Sequence, residues 1–224
     1  MLLAFAYSLP LALGISLSPL PVVLSVSVLL SSRPGNATAF FTGWAVGIFA
    51  IGFILFLIPG LEAERGEPTL LAGWIRLILG AGLVFLAIRQ WMKHKAGEGE
   101  SENPRLLEKL NDATFGKTLV TGLMLSVFNP KNLLLTLAGV SYIDVYASSL
   151  AEQSLVLLVF TLVASAGVLL PIIGYTLFPG RAQDILTATR SWLVRNSAAV
   201  VAAFLLVLGV IVAASGLAIL CSCF

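Results

Sequence analysis

Charged residues are scarce in this chain. Only 11% of its 224 residues are charged and 58% are hydrophobic, whereas about a quarter of the residues in a typical soluble domain are charged. Apolar runs of roughly 20 residues or more separate the charged stretches, and each is long enough to cross a bilayer as a helix. The composition excludes a soluble globular protein and predicts an integral membrane protein, with membrane lipids and no nucleic acid among its partners.

Metal-ligating and redox-active side chains are also few. His94 is the single histidine, and the two cysteines, Cys221 and Cys223, lie within the last four residues. Metal exporters need acidic, histidine or cysteine ligands, and no phosphate-binding loop motif is present. We therefore predict no metal, no cofactor and no enzyme activity. A thiol-redox membrane enzyme that depends on the two cysteines is the weakest alternative.

The apolar runs predict six transmembrane helices and an all-α fold. The predicted spans are Leu3–Leu30, Ala37–Ile58, Leu70–Met92, Leu119–Ile143, Ser154–Phe178 and Ser197–Leu220. The first is interpreted as a span rather than a signal peptide, because no positive residue precedes it. A charged, flexible linker at 93–117 separates a first three-helix repeat, 1–92, from a second, 118–224.

Lysine and arginine are concentrated in three of the predicted connections. Ten of them follow spans 1, 3 and 5: Arg33; Arg89, Lys93, Lys95, Arg105, Lys109 and Lys117; Arg181, Arg190 and Arg195. On the other side of the membrane only Arg65 is found. Because basic loops stay in the cytoplasm, we expect a multi-pass protein of the cytoplasmic (inner) membrane. Its N- and C-termini then lie outside, and the loops after helices 1, 3 and 5 are cytoplasmic.

The two halves of the chain begin with similar segments. Residues 14–21 read GISLSPLP and residues 122–130 read GLMLSVFNP. Because each half has three spans, the halves enter the membrane from opposite sides and form an inverted repeat, which is typical of transporters. Proline removes a backbone donor and clashes with the preceding turn. Spans 1 and 4 are therefore predicted to break at Pro19, Pro21 and Pro130 and to meet near the bilayer centre. The alternative is that these are ordinary membrane-helix prolines.

A lysine lies beside one of these predicted breaks. Lys131 is about twelve residues into span 4, where a charge costs at least ~2.5 kcal/mol. No aspartate or glutamate lies deep in any span, so the lysine is neutral, contacts hydrated or freed carbonyls, or binds an anionic substrate. We predict a substrate site formed by Lys131, with hydrogen bonds from Asn129, Asn132, Ser18 and Ser126.

Two arginines are further candidates for substrate binding. Arg76 lies about one to two turns inside span 3, where it can bind substrate or extend its guanidinium to the membrane surface. Arg33, just after span 1, can attract an anionic headgroup or serve only as a topology signal.

Five segments carry a family resemblance that covers nearly the whole chain. They are Leu13–Pro21 (LGISLSPLP), Gly43-Trp44, Ile88–Trp91 (IRQW), Asn129–Leu133 (NPKNL) and Trp192–Asn196 (WLVRN). The chain resembles the GAP family, also called Sap or sulfolipid-addressing proteins, of the LysE superfamily of six-span exporters. Many superfamily members carry Pro-Gly-Pro in span 1, where this chain has Ser18-Pro19-Leu20-Pro21. This difference weakens the inference that the chain shares the amino-acid substrates of other superfamily members.

The resemblance implies a LysE-like fold and transport. Superfamily members export amino acids, metal ions or other small solutes, and GAP members are associated with moving glycolipids or glycopeptidolipids to the cell surface in mycobacteria.

Together, the residues and the resemblance predict a secondary-type exporter. It would move an anionic or amphiphilic, lipid-like solute through a central polar site, driven by a gradient or by a separate partner. Two alternatives stay open: a non-transporting accessory membrane protein in envelope glycolipid export, and an exporter of amino acids or other small solutes. The sequence is compatible with a homo-oligomer.

Overall fold

The structure is a computed structural model that describes residues 1–31, 33–57, 70–95, 110 and 113–222. Within these ranges it does not describe the side chains of residues 72, 179–183, 189–198, 200 and 222. The helices are, in chain order, α1 (Leu2–Ser16), α2 (Pro19–Leu29), α3 (Asn36–Phe56), α4 (Leu70–Lys95), α5 (Phe115–Val127), α6 (Pro130–Tyr146), α7 (Leu150–Ala164), α8 (Ala166–Leu177) and α9 (Pro179–Ser222). No strand occurs among the described residues.

The chain is a helical membrane protein with between three and six candidate crossings. By length and composition, α3, residues Gly73–Lys95 of α4 and residues Val201–Cys221 of α9 can each span a bilayer. Three helix pairs reach the necessary length only together: α1 with α2, α5 with α6, and α7 with α8, bent by 55°, 65° and 61°. Six crossings result if each bent pair is one broken span.

Two of the three breaks fall where the prolines predict them. α2 begins at Pro19 and α6 begins at Pro130, and proline suits this position because the first helical N–H has no partner within the helix. Asn129 caps α6, since its Oδ1 accepts a hydrogen bond from the backbone N–H of Lys131 at 3.1 Å. Such a cap satisfies one of the helix's otherwise unpaired donors.

The third break, between α7 and α8, is not predicted by the sequence. Here the backbone N–H of Gly167 donates to the Ser16 Oγ of the first bent pair at 2.9 Å, rather than continuing its own helix. A side chain that enters the backbone ladder is a recognised cause of kinks. Pro171 lies inside α8, beyond the break, so proline position alone does not reveal the bend.

Glycines bring α3 and α5 into backbone contact. A Cβ added to Gly43 would overlap the carbonyl oxygen of Leu119, and one added to Gly122 would overlap that of Phe40. Small residues permit this close approach between membrane helices. The contact makes α3 and α5 one tightly packed pair.

A second pair is formed by α4 and α9. A Cβ added to Gly80 would lie 2.7 Å from the Cβ of Ala213, and one on Gly209 would lie 2.9 Å from the backbone nitrogen of Val84. Because such distances are shorter than real Cβ contacts, only glycine fits at these positions. The two helices therefore pack backbone to backbone along several turns.

Two helices continue beyond the spans predicted for them. α4 runs to Lys95, past the predicted end of span 3 at Met92, so Arg89 and Lys93, both counted with the connection after span 3, lie in its last turns. α9 begins at Pro179, so the predicted loop before span 6 is helical. Lysine and arginine are good helix formers and are favourable near a helix C-terminus, so a charged stretch need not end a helix.

Several predictions lie outside the described residues. They concern most of the linker 93–117, the end of span 2 at Ile58, Arg65 and Cys223.

Candidate functional site

The breaks of the first two bent pairs lie against each other. The Nζ of Lys131, at the start of α6, donates to the carbonyl oxygen of Gly14 in α1 at 3.2 Å. In a continuous helix the N–H of Ser18 would occupy that carbonyl, but here it donates to Ile15 O at 3.0 Å. The break in α1 therefore frees the acceptor that Lys131 uses, at a helix end that carries partial negative charge.

Lys131 is buried, with 8% of its surface exposed. Contact with a freed carbonyl, one of the three alternatives for this lysine, is thus present, and the carbonyl is that of Gly14. It explains how the chain keeps an ammonium group at depth, where a charge without a hydrogen-bond partner is costly. The contact with Gly14 does not cover the whole side chain, because Lys131 also lines a cavity.

A cavity of about 170 Å³ opens beside the two breaks. Its polar lining residues are Ser18, Asn129, Lys131, Arg89, Gln90 and Lys93, and its apolar ones are Leu86, Pro130, Val201 and Leu205. Three of these side chains are cationic, and none of the described lining residues is acidic. Because Arg89 and Lys93 are exposed and Lys131 is buried, the positive charge extends from the surface inward.

Two helix N-termini add to this positive potential. Ser18 is the N-cap of α2 and Asn129 is the N-cap of α6, and both line the cavity. The N-terminus of a helix carries about half a positive charge and favours anions. The arrangement is therefore suited to an anionic group, with an apolar wall from α4 and α9 beside it.

Three of the polar lining residues were not predicted as site residues. Arg89, Gln90 and Lys93 come from the end of α4. The count of basic residues by loop assigns Arg89 and Lys93 only to topology and does not include Gln90. The signal that could have found them is the IRQW segment, which contains Arg89 and Gln90. Helical spacing then adds Lys93, which lies on the same face as Arg89 four residues earlier.

Other predicted site residues lie elsewhere. Ser126 donates from its Oγ to the carbonyl oxygen of Leu123 at 2.8 Å and packs against Gly47 of α3, where an added Cβ would overlap it. Arg33 is exposed in the connection before α3 and is not among the described residues that line the cavity.

Asn132 is buried next to the cavity-lining Lys131 but is not itself among the described lining residues. It is 1% exposed, and neither its Oδ1 nor its Nδ2 has a hydrogen-bond partner among the described residues. A buried amide without hydrogen-bond partners lowers the stability of the fold. A functional role or a bound polar group would account for its presence.

Arg76 is buried inside the helix bundle. It is 3% exposed, its Nη2 donates to the carbonyl oxygen of Ser141 at 3.2 Å, and its Cζ lies 4.2 Å from the centre of the Tyr142 ring. It precedes Arg89 by thirteen residues on α4, about 20 Å along a helix. Arg76 and the cavity therefore lie toward opposite ends of the helix bundle.

Among the described residues, no group of three or more histidine, cysteine, aspartate and glutamate side chains could hold a metal ion. A protein-family model described as "Sap, sulfolipid-1-addressing protein" matches residues 9–218. No curated protein matches the chain, and no solved structure matches it.

Proposed function

Because the chain belongs to the Sap, sulfolipid-1-addressing protein family, we propose that it is a secondary-type transporter for an anionic, lipid-like solute. The cavity at the meeting point of the two broken helix pairs is the solute site. The solute crosses the cytoplasmic membrane through this site, driven by a gradient or a partner protein. No chemical step on the solute is required, so the chain acts as a carrier and not as an enzyme.

The observation that carries this proposal is the charge of the cavity. Its described lining holds Arg89, Lys93 and Lys131 without a carboxylate, and two helix N-termini lie at the same place. A cavity lined by several cationic side chains attracts anions and repels cations. A cation exporter would need acidic groups in its place.

The size of the cavity favours a headgroup over a whole lipid. Its volume of about 170 Å³ is below the roughly 300–1,000 Å³ of sites that enclose drug-sized ligands. A sulfate, phosphate or carboxylate group fits it, and the apolar body of the solute would lie along Leu86, Val201 and Leu205. This division between charged and apolar walls favours an amphiphilic solute, with a charged headgroup and an apolar body.

Individual residues would have distinct roles. Arg89 and Lys93 attract the headgroup from the exposed end, and Lys131 pairs with its charge at depth. Ser18 and Asn129 supply hydrogen bonds beside it, and charge-assisted bonds of this kind are about twice as strong as neutral ones.

The inverted repeat is part of the same proposal. It is supported by the breaks before Pro19 and Pro130, since each divides the first predicted span of its half. It is also supported by the packing of α6 against α4 and of α2 against α9, which a two-fold relation between the halves requires. Six crossings and cytoplasmic Arg89 and Lys93 follow from this arrangement and from the bias of basic residues.

Lipid transfer in liposomes tests the proposal. The purified chain is reconstituted in phosphatidylcholine liposomes with trace NBD-labelled sulfatide, and dithionite bleaching reports movement of the label from the inner leaflet. We expect transfer of this sulfated lipid to exceed that of NBD-labelled phosphatidylcholine. Lys131→Gln should slow it about ten- to a hundredfold, because a hydrogen bond to a charged group contributes about 1.5–3 kcal/mol.

Lys117→Gln is the matched control, since Lys117 is an exposed lysine of α5 that is not among the described lining residues. It should leave transfer unchanged. Transfer no faster than in empty liposomes would reject the carrier and favour the non-transporting accessory protein. Equal transfer by the Lys131→Gln variant would reject the site.

A further inference from the structure

Arg76 is the centre of a second polar cluster, at the end of the helix bundle opposite the cavity. The Tyr142 ring covers its guanidinium, with 4.2 Å between Cζ and the ring centre, and the carbonyl oxygen of Ser141 accepts a hydrogen bond from Nη2. A cation over an aromatic face in a desolvated site is a stabilising contact. The cluster therefore holds α4 and α6 together at this end.

Tyr142 connects two more helices to the same point. Its hydroxyl and the Oγ of Ser215 in α9 are hydrogen-bonded at 2.7 Å, and its ring stacks on Tyr7 of α1 with 5.4 Å between centres. Residues from α1, α4, α6 and α9 thus meet around one tyrosine. These contacts close the space between the four helices at this point.

The cavity lies at the opposite ends of α4 and α6. There the cavity lies between Arg89 of α4, Leu205 of α9 and Lys131 of α6. Between cavity and cluster is an apolar layer, since a Cβ added to Gly14 of α1 would lie 3.1 Å from both Leu135 and Leu208. The bundle is therefore open at one end and closed at the other.

The arginine is an expensive way to close a helix bundle. Apolar side chains would pack there at no electrostatic cost, whereas an arginine within a membrane span is costly. Its Nε has no hydrogen-bond partner among the described residues, although only 3% of the Arg76 surface is exposed. A cation kept at this cost, with one donor unused, suits a path along which an anion moves.

We infer that Arg76 and Tyr142 form the closed gate at the far end of the anion path that begins in the cavity. The inference rests on the proposed function, because a gate needs a path. Opening moves the guanidinium away from the Tyr142 ring and separates α6 from the α4–α9 pair. The released Arg76 is then the cation that an anion meets as it leaves the cavity toward that side.

Cysteine accessibility tests the gate without any substrate. A reporter, Ala138→Cys, is placed on α6 between Lys131 and Tyr142 in a chain that also carries Cys221→Ser and Cys223→Ser. The rate of its reaction with the membrane-impermeant anion 2-sulfonatoethyl methanethiosulfonate is measured in intact cells and in inverted membrane vesicles. Lys93→Cys, in place of the reporter, marks the membrane side on which the cavity opens.

We expect Tyr142→Ala to raise the reporter's reaction rate about tenfold, equivalent to about 1.4 kcal/mol, from the side opposite Lys93. Tyr142→Phe, which loses only the bond to Ser215, should give a smaller rise from the same side. Tyr175→Ala, which removes a half-buried tyrosine of α8, is the matched control and should give none.

Unchanged rates in Tyr142→Ala and Tyr142→Phe chains that elute as intact protein in gel filtration would overturn the gate. A rise only from the Lys93 side would overturn it as well. If Tyr142→Ala does not fold, Tyr142→Phe alone decides. The result is separable from the proposed function, because lipid transfer that depends on Lys131 can succeed while this assay fails, and the reverse.

Discussion

At the scale of single residues, Lys131 and Asn129 show how one side chain can serve the fold and the site together. Asn129 closes the first turn of α6 through its Oδ1, and Lys131 bonds the carbonyl that the α1 break releases. Both also line the cavity. Their structural contacts hold the site in shape, and their remaining surface faces the space where we place the anion.

Replacing Asn129 and replacing Asn132 should change the free energy of unfolding in opposite directions. Asn132→Leu removes a buried amide that has no hydrogen-bond partner among the described residues, so it should raise the free energy of unfolding by about 1–3 kcal/mol. Asn129→Leu removes a helix cap and should lower stability by about 1 kcal/mol.

Thermal unfolding of both variants in one neutral detergent, alongside the parent chain, measures this. A loss of stability in Asn132→Leu would contradict the prediction, because it would mean that the amide is already satisfied in the folded protein.

The sequence could predict Lys131 because a lysine stands out in an apolar run. It did not assign Arg89 to the site, because a loop count explains that residue equally well, and it could not predict the displacement of Ser126 from the site. The position of Ser126 is set by the helix that packs against it: Gly47 of α3 leaves room for its hydroxyl. A polar stripe on one helix says which side chains share a face, but not which neighbour covers them.

At the scale of helices, proline and glycine have separate roles. Pro19 and Pro130 begin the helices that follow the breaks, and their positions could be predicted because the missing N–H is a local property. At the bend at Ser165, the N–H of Gly167 donates to Ser16 Oγ, 151 residues away in the chain. No local pattern reveals a contact of that kind.

Two glycines of α5 should differ sharply when each is replaced by alanine. A Cβ on Gly122 would overlap the carbonyl oxygen of Phe40, whereas nothing lies within 4 Å of a Cβ on Gly116. We expect Gly122→Ala to lower stability by about 1–3 kcal/mol, as overpacking does. Gly116→Ala should raise it by about 0.5–1 kcal/mol, because alanine loses less backbone freedom on folding.

The midpoint of thermal unfolding, Tm, measured for both variants and the parent, tests the contact between α3 and α5. Equal shifts in the two variants would show that the helices are not in backbone contact.

At the scale of the whole molecule, the helices divide into packed pairs around a cavity that is closed at one end. The α3–α5 and α4–α9 pairs are held by backbone contact. The sequence predicts an all-helical membrane protein, and the structure confirms that class. The sequence does not predict which end of the bundle is open, because that depends on the distances between four helices.

The central claim is that the cavity binds an anion through Lys131 and Arg89, and ligand-induced stabilisation tests it most directly. A ligand that binds only the folded state raises stability by about 2.7 kcal/mol at a hundred times its dissociation constant. Tm is measured in sulfate and in chloride at equal ionic strength, for the parent chain and for Lys131→Gln, Arg89→Gln and Lys117→Gln. Because sulfate also stabilises proteins by exclusion from their surface, the difference between variants is what counts. We predict a larger sulfate shift in the parent and Lys117→Gln than in the two cavity variants, and the same shift in all four proteins would contradict the account.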